Sequence, residues 1–339
     1  MQKKTIYDVA KEAGVSISTV SRVMNGSAKV RDSTRKRVEE ACLDYRPTAS
    51  ARELQAKRSK TVGLIINHRP EYFFMNETYA NALLGASVTA KENDYRLLLD
   101  ISEDDARVCN LFYEQKVDGF ILMGVKKNSE LLQELKAGEA PFVLVGSYHE
   151  DERGVCQVDI DDRKTACQVT SYLIGLGHRR VGIIVGSPEY SSSSDRLLGY
   201  GQALEEAGIP IREEYIQECE NLTELKAEQL AKNLFYQVPR VTAVVSFNDS
   251  TAMAVYKAAA SCGISIPDQL SVISFDDTVV ASYMSPPLTS VWQPSYEKGE
   301  KAMSILIDCL KKGIMPENRT ELNSIIMYRG SCSVAPQDE

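Results

Sequence analysis

The 339-residue sequence holds one Trp, three His and eight Cys, and the Cys at 42, 109, 156, 167, 219, 262, 309 and 332 form no C-x-x-C pair and cluster with no His. Metal sites of the Cys/His type need such clustering, so no metal is expected. Most of these Cys sit in apolar periodic stretches, which predicts buried free thiols in a reducing compartment rather than a disulfide framework. No run of about 18 apolar residues is present to cross a bilayer, and the amino terminus lacks the apolar core of a secretion signal. A cytoplasmic protein with no membrane partner is therefore expected. A G-x-S-x-G elbow and a P-loop are also missing. The adjacent pairs Asp161/Asp162 and Asp276/Asp277 are poorly placed for shared acid–base work, because neighbours on a strand point to opposite faces. His178 precedes a strand instead of following one. Catalysis and a bound cofactor are not expected.

What is present is unevenly distributed. Residues 1–60 carry 14 Lys and Arg against 7 Asp and Glu, a net +7, while the whole chain is −8, so the remainder carries −15. A basic head on an acidic body suits a nucleic-acid module joined to a unit that avoids phosphate. At 43% apolar and 25% charged residues the composition is that of an ordinary globular protein, long enough for two or three units.

The head reads as helical. Thr5 caps a first helix with Asp8 closing the box, and Ile6, Val9, Ala10 and Ala13 recur at helical spacing. Gly14 ends that helix, Val15 fills the corner, and Ser16 caps a second helix that turns Val20 and Val23 inward. Ile17, Ser18, Ser21 and Arg22 then face outward. An Arg so placed can pair its fork with guanine O6 and N7, while Ser and Thr hydroxyls suit phosphate oxygens. The same pattern also fits a mere capped hairpin of helices. Val38, Ala41, Cys42 and Tyr45 carry a third helix, which Pro47 stops. The stretch from Thr48 to Gln55 is too short to be a stable helix alone. It is either a conditional helix or a plain linker whose Leu54 packs on the body.

The string T-I-x-D-V-A-x-x-A-G-V-S-x-x-T-V-S-R-V-x-N from Thr5 to Asn25 resembles the amino-terminal signature of the lactose-repressor (LacI/GalR) family of bacterial transcription regulators, and the likeness runs on through nearly the whole chain. It implies that Thr5, Tyr7, Ser16, Ile17, Ser18, Thr19, Ser21, Arg22, Asn25 and Leu54 contact double-stranded operator DNA. A homodimer would then bind a palindromic operator, with Leu54 levering into a base step. Ser50 and Glu53 depart from the family's hinge, where an apolar residue and no carboxylate are usual. The implied fold is a small all-α helix-turn-helix head plus an α/β two-lobed periplasmic-binding-protein-like body with parallel sheets. The expected limits are 1–47 for the head, 48–60 for hinge and linker, and 61–339 for the effector-binding and dimerisation body. Within the body, lobe 1 takes about 61–160 and 294–323, and lobe 2 about 161–292 and 324–336.

The residues support such a body directly. Apolar runs at 62–67, 96–101, 119–124, 141–146, 181–186, 243–247 and 271–275 look like buried parallel strands separated by amphipathic helices. In open α/β sheets ligands bind outside the carboxyl ends of strands. Polar residues just past those ends are Asn248 and Asp249 after one run, and Asp276 and Asp277 after another. Carboxylates and an amide suit a polyol, and an Arg fork fixes its orientation. The resemblance implies effector contact for Arg196, Asp276 and Asn248. Asp249 is a further candidate, and each of these residues can equally be a helix cap or an ion-pair partner. Tyr79, aligned through Asn76, offers a ring for stacking. Trp292 either lines the cleft or fills the core of the lobe crossing. The effector is expected to be a small carbohydrate-like molecule: a maltose-type α-glucoside, a sugar acid or a sugar phosphate. The Asp276–Asp277 pair departs from the Asn pair of the α-glucoside group, and Gly146 lacks the carboxylate that some sugar-responsive members carry there. The competing classes are a carbohydrate-binding protein and a sugar-acting enzyme, neither of which needs the basic head.

Overall fold

The computed structural model describes residues 6–16, 19–20, 23, 31–42, 59–67, 76–101, 105–149, 155–218, 223–314, 316 and 319–337. In the head, α1 spans Ile6–Glu12 and α2 spans Asp32–Ala41, with Thr19, Val20 and Val23 helical between them. Gly14 takes φ +63°, the left-handed conformation that closes a helix without a Cβ penalty. The Thr19 N–H then donates to Ser16 Oγ at 3.3 Å, which starts the next helical stretch. Val9, Ala10, Ala13, Val20, Val23, Val38 and Ala41 are buried together, with Val15 and Cys42 packed against them. The inward face read from spacing is thus the core of the head. Tyr45, Pro47 and the whole segment from Thr48 to Gln55 lie outside the described residues.

The body contains two six-stranded sheets. The first is built from β1 (Thr61–Ile66), β2 (Arg96–Ile101), β3 (Gly119–Met123), β4 (Phe142–Val145), β5 (Cys156–Ile160) and β11 (Arg319–Leu322), in the order β11-β5-β4-β3-β1-β2. The second holds β6 (Val181–Val185), β7 (Ile216–Glu218), β8 (Ala243–Ser246), β9 (Ser271–Asp276), β10 (Thr289–Trp292) and β12 (Ile325–Met327), in the order β12-β10-β9-β8-β6-β7. All pairings are parallel except β10 with β12. Strands β1, β3 and β6 bury nearly every residue, because helices cover both faces of a parallel sheet. In each sheet the order reverses between its first strand and the next but one, β1/β3 and β6/β8, and such switch points open a crevice at the carboxyl ends.

The seven apolar runs all became strands. Five strands carry no such run. Of these, β7 and β12 have three residues each and β11 is a polar edge strand. In β5 the buried Gln157 and Asp159 interrupt the apolar pattern, and both are satisfied by partners brought from elsewhere in the chain.

The intervening helices are α3 (Glu77–Glu92), α4 (Asp105–Tyr113) and α5 (Glu130–Ala137) around the first sheet. Around the second lie α6 (Asp162–Gly175), α7 (Ser191–Glu206), α8 (Glu224–Phe235), α9 (Asp249–Ser261) and the short α10 (Val279–Tyr283). The chain passes from the first sheet to the second after Ile160, returns after Trp292 into α11 (Ser295–Lys312), and passes over again between Leu322 and Ile325. Helix α11 belongs to the first lobe, where Ala302, Met303, Leu306, Ile307 and Leu310 join the cluster containing Val62, Leu64 and Ile121. Its contact with α3 is unusually close. A Cβ at Gly299 would overlap the Ala82 carbonyl, and one at Gly85 would overlap the Tyr296 carbonyl. The seven described Cys are free thiols.

Candidate functional site

A cavity of about 690 Å³ lies where the carboxyl ends of the two sheets face each other. Tyr79, Gly124, Ser147 and Asp159 line it from the first lobe, and Arg196, Phe247, Asn248 and Asp276 from the second. Gln293 and Lys298, at the start of α11, close its hinge end. The lobes also touch at its rim. Lys126 pairs with Glu189 at 3.0 Å, Lys127 Nζ donates to Ser194 Oγ at 2.6 Å, and His149 Nε2 lies 2.8 Å from Asp195 Oδ2.

Arg196 is buried on α7 and held on three sides. Its Nε donates to Asp162 Oδ1 at 2.8 Å and its Nη1 to the Phe247 carbonyl at 2.5 Å, while the guanidinium lies 4.0 Å from the Phe275 ring centroid. Rings and carboxylate together fix a planar fork, leaving Nη2 as the donor without a hydrogen bond to a described residue. Burial works against its charge, yet the neighbouring Asp162 and the more distant Asp276 raise its pKa above the ordinary value. Burial in turn raises Asp162 despite Arg196.

A second charged group spans the hinge. Lys298 Nζ lies 2.5 Å from Asp159 Oδ1 and donates to Gln293 Oε1 at 2.8 Å, and Gln293 Nε2 donates to Asp276 Oδ1 at 2.8 Å. Asp159 also accepts from Ser147 Oγ and the Ile160 N–H. Burial opposes its ionisation, but Lys298 and these donors leave its pKa below the usual carboxylate range. Asp276 differs. Burial, only partly offset by Arg196, pushes its carboxyl up to about 7. Its φ of +102° is a strained conformation for a residue with a Cβ, held by the Gln293 bond.

Of the six effector candidates, the fold brings Tyr79, Arg196, Asn248 and Asp276 to the cavity. Asn248 does so while capping α9, its Oδ1 accepting from the Thr251 N–H and hydroxyl. Asp249 and Trp292 do not line it. The Asp249 carboxylate is turned away and consumed by the Thr278 N–H and hydroxyl and by Ser290 Oγ, so it ties α9 to the β9–α10 turn. Trp292 instead borders a smaller polar pocket of about 260 Å³ with Asp277, Thr278 and Arg329. The Asp276/Asp277 pair splits likewise, Asp277 being held by Arg329. Asp161 caps α6 through the Lys164 N–H, and the buried His178 bonds Thr242 and Ser271 in the core. Asp159 and Lys298 escaped the sequence reading, and Asp162 was weighed there only as an acid–base candidate and not as a cavity residue. The one available signal was charge inside apolar segments, as in CQVDI.

In the head, the Ser16 and Thr19 hydroxyls lie 2.9 Å apart at the start of the second helical stretch. Thr5, Ile17, Ser18, Ser21, Arg22, Asn25 and Leu54, with the side chain of Tyr7, lie outside the described residues.

Such a head joined to two such lobes has counterparts among known proteins. A family model described as bacterial regulatory proteins, lacI family, matches residues 5–48, and one for a periplasmic binding protein-like domain matches residues 170–332. Catabolite control protein A of Priestia megaterium is 34% identical over 334 residues, covering 96% of this chain and 98% of that protein. The chain belongs to the LacI family of bacterial regulatory proteins. Another LacI-family relative, the HTH-type transcriptional regulator CelR of Thermobifida fusca, is 31% identical over 336 residues, 97% of this chain and 98% of that protein. A solved structure of a transcriptional regulator CelR–cellobiose complex matches with a TM-score of 0.77 at 30% identity, covering 96% of this chain and 99% of that one. Like these LacI-family relatives, the protein is a transcriptional regulator and not an enzyme. Among the described residues no helix is long and apolar enough to cross a membrane.

Proposed function

We propose that this protein represses carbohydrate-use genes by binding a palindromic operator as a homodimer, under the control of a small carbohydrate-like effector held between the lobes. The head takes residues 1–47, the hinge and linker 48–60, and the two-lobed body the rest. Arg22 and the polar residues around it read base edges and phosphates, and Leu54 enters the minor groove. Operator contact by two heads on one axis requires two inverted half-sites. Exposed apolar residues on α3 (Leu84, Val88) and α10 (Val280, Tyr283) supply surface for pairing of the bodies.

The single observation that carries the effector reading is the clamped Arg196 fork beside Asn248 and Asp276 on the second-lobe wall of a cavity of about 690 Å³. Such a cavity takes a sugar-sized molecule, and its lining offers both donors, as on Arg196, and acceptors, as on Asp276 and Asn248, which a polyol requires. An effector here acts on the operator through the angle between the first lobes of a dimer, and only by its differential affinity for the two arrangements.

The test is operator binding by the full-length protein, selected from random duplexes, with and without mono- and oligosaccharides, sugar acids and sugar phosphates. A preferred inverted repeat whose affinity changes with one of these molecules supports the proposal. Binding to all duplexes alike at moderate salt defeats it.

A further inference from the structure

We propose that Asp118 fixes the direction in which the chain leaves the body toward the head, and so sets the spacing between half-sites that a dimer accepts. This rests on the reading of the protein as an operator-binding dimer, and it assigns specificity to a positioning residue in the body.

Head and body are joined by one stretch of chain, whose last residues before β1 are Ser59 and Lys60. The Asp118 carboxylate grips both. Ser59 N–H and Ser59 Oγ each donate to Asp118 Oδ1 at 2.9 Å, and the Lys60 N–H donates to Oδ2 at 2.9 Å. Bonds from such donors to a carboxylate are of the stronger, charge-assisted kind. On the other side, the Arg96 N–H at the start of β2 donates to the Lys60 carbonyl at 2.7 Å. Ser59 Oγ also accepts from the Thr61 N–H at 3.1 Å, which joins the grip to the first residue of β1.

The carboxylate is itself held on a rigid corner. Val117 before it is buried in the core of the first lobe, and a Cβ on Gly119 after it would overlap the Pro141 carbonyl. The Asp118 N–H donates to the Thr61 carbonyl at 2.8 Å. Ser59 and Lys60 therefore move with the first sheet. Lys60 takes φ +51°, a left-handed conformation that a residue with a Cβ keeps only where its surroundings over-determine it. Without the Asp118 bonds Lys60 relaxes toward extended backbone, and the chain before it swings to a new direction.

This corner lies at the amino ends of β1, β2 and β3, opposite the cavity, and Ser59, Lys60 and Asp118 do not line that cavity. In a dimer the two exits stand at a fixed separation and aim two heads at one duplex. Successive base pairs differ by roughly 3.4 Å along the axis and about 35° around it. A head on a fixed exit cannot follow such a rotation, whereas one on a swivelling exit can. Tether length alone has no such effect, since two more free residues change the effective concentration of the second head by less than about twofold.

The test is a series of half-site spacings. Full-length wild type first selects its inverted repeat from random duplexes. Fluorescence anisotropy at constant salt then gives its affinity for that repeat and for repeats with one base pair inserted or removed at the centre. Asp118→Ala, Asp118→Asn and Ser59→Ala are compared with wild type, each first checked for an unchanged thermal transition. Wild type is expected to lose at least about tenfold on either change of spacing, and Asp118→Ala no more than about threefold, with the half-site sequence preference unchanged. Asp118→Asn, which keeps one acceptor oxygen, and Ser59→Ala, which loses only the hydroxyl, should fall between. A wild type indifferent to spacing overturns the proposal. So do Asp118 variants that keep the full spacing penalty, whatever they lose in overall affinity or stability, because Asp118 then only fastens the end of β1 to the sheet. In both cases a selected inverted repeat leaves the operator reading standing. If wild type selects no inverted repeat, both fall.

Discussion

Lys298 donates to Gln293 Oε1 at 2.8 Å, and this contact ties the first-lobe helix α11 to the residue that bonds Asp276 in the second lobe. The chain of bonds ends on the buried carboxylate of Asp159 and the half-buried one of Asp276, so a group bound between the lobes meets one connected polar network.

Removing the cation should expose the cost of that arrangement. Lys298→Met leaves Asp159 buried without its ion-pair partner and is expected to cost about 3–5 kcal/mol in urea unfolding. The double variant Lys298→Met, Asp159→Leu should recover most of the loss, because no uncompensated charge is left behind. A double variant as unstable as the single one would show that the pair contributes through packing instead.

Asp276 predicts a pH dependence. Its folded-state pKa of about 7 lies above the ordinary carboxylate value, so the unfolded chain ionises first and the native state is disfavoured as pH rises from about 4 to about 7. In ligand-free protein, Asp276→Asn should flatten this part of the stability profile. If effector hydroxyls donate to the ionised carboxylate, wild-type affinity should rise roughly tenfold between about pH 6 and about pH 8, as the ionised fraction does. The Asn variant should bind weakly and without that slope.

Arg196→Lys keeps a cation beside Asp162 but loses the planar fork and its free Nη2. Effector affinity should fall by at least about tenfold while operator affinity without effector is unchanged. Arg196→Ala should abolish the response and also lower stability, since Asp162 is then buried unpaired. A normal effector response in Arg196→Ala, read by operator band shifts, would place the effector elsewhere.

Arg22→Ala should lower operator affinity by about 1–3 kcal/mol and relax preference at one base position in each half-site. Sequence selection with the variant measures both effects. Uniform weakening over all sequences would assign Arg22 to phosphate contact.

Gly299→Ala sets helix propensity against sterics. Alanine gains about 1 kcal/mol in a helix interior, but overlap with the Ala82 carbonyl forces α11 away from α3 at about 3 kcal/mol. A net loss of about 2 kcal/mol in chemical unfolding is expected. An unchanged or raised transition would mean that the two helices separate freely.

Much of the fold was legible because its signals are local. Val9, Ala13, Val20 and Val23 announce the core of the head by spacing, and runs such as VGLII and VGIIV announce strands buried on both faces. Strand β5 was not legible. Its Gln157 and Asp159 look wrong for a buried strand until the Tyr148 backbone and Lys298 arrive. The site was legible where a polar residue follows a strand end, as with Asn248 and Asp276. Asp249 looked equivalent to Asn248, yet one step along the helix turns its carboxylate toward Thr278 and Ser290 instead of the cavity.

The order of residues alone therefore determined that a basic helical head precedes an acidic body of two parallel sheets, since periodicity and charge need no distant partner. Tertiary structure decided which polar groups end up paired and which face the cavity. Arg196 meets Asp162, Lys298 meets Asp159, and the hydroxyls of Ser191 and Ser193 meet nothing. Burial makes a charge or hydroxyl depend on the few atoms within hydrogen-bonding reach, and those atoms come from segments that only folding brings together.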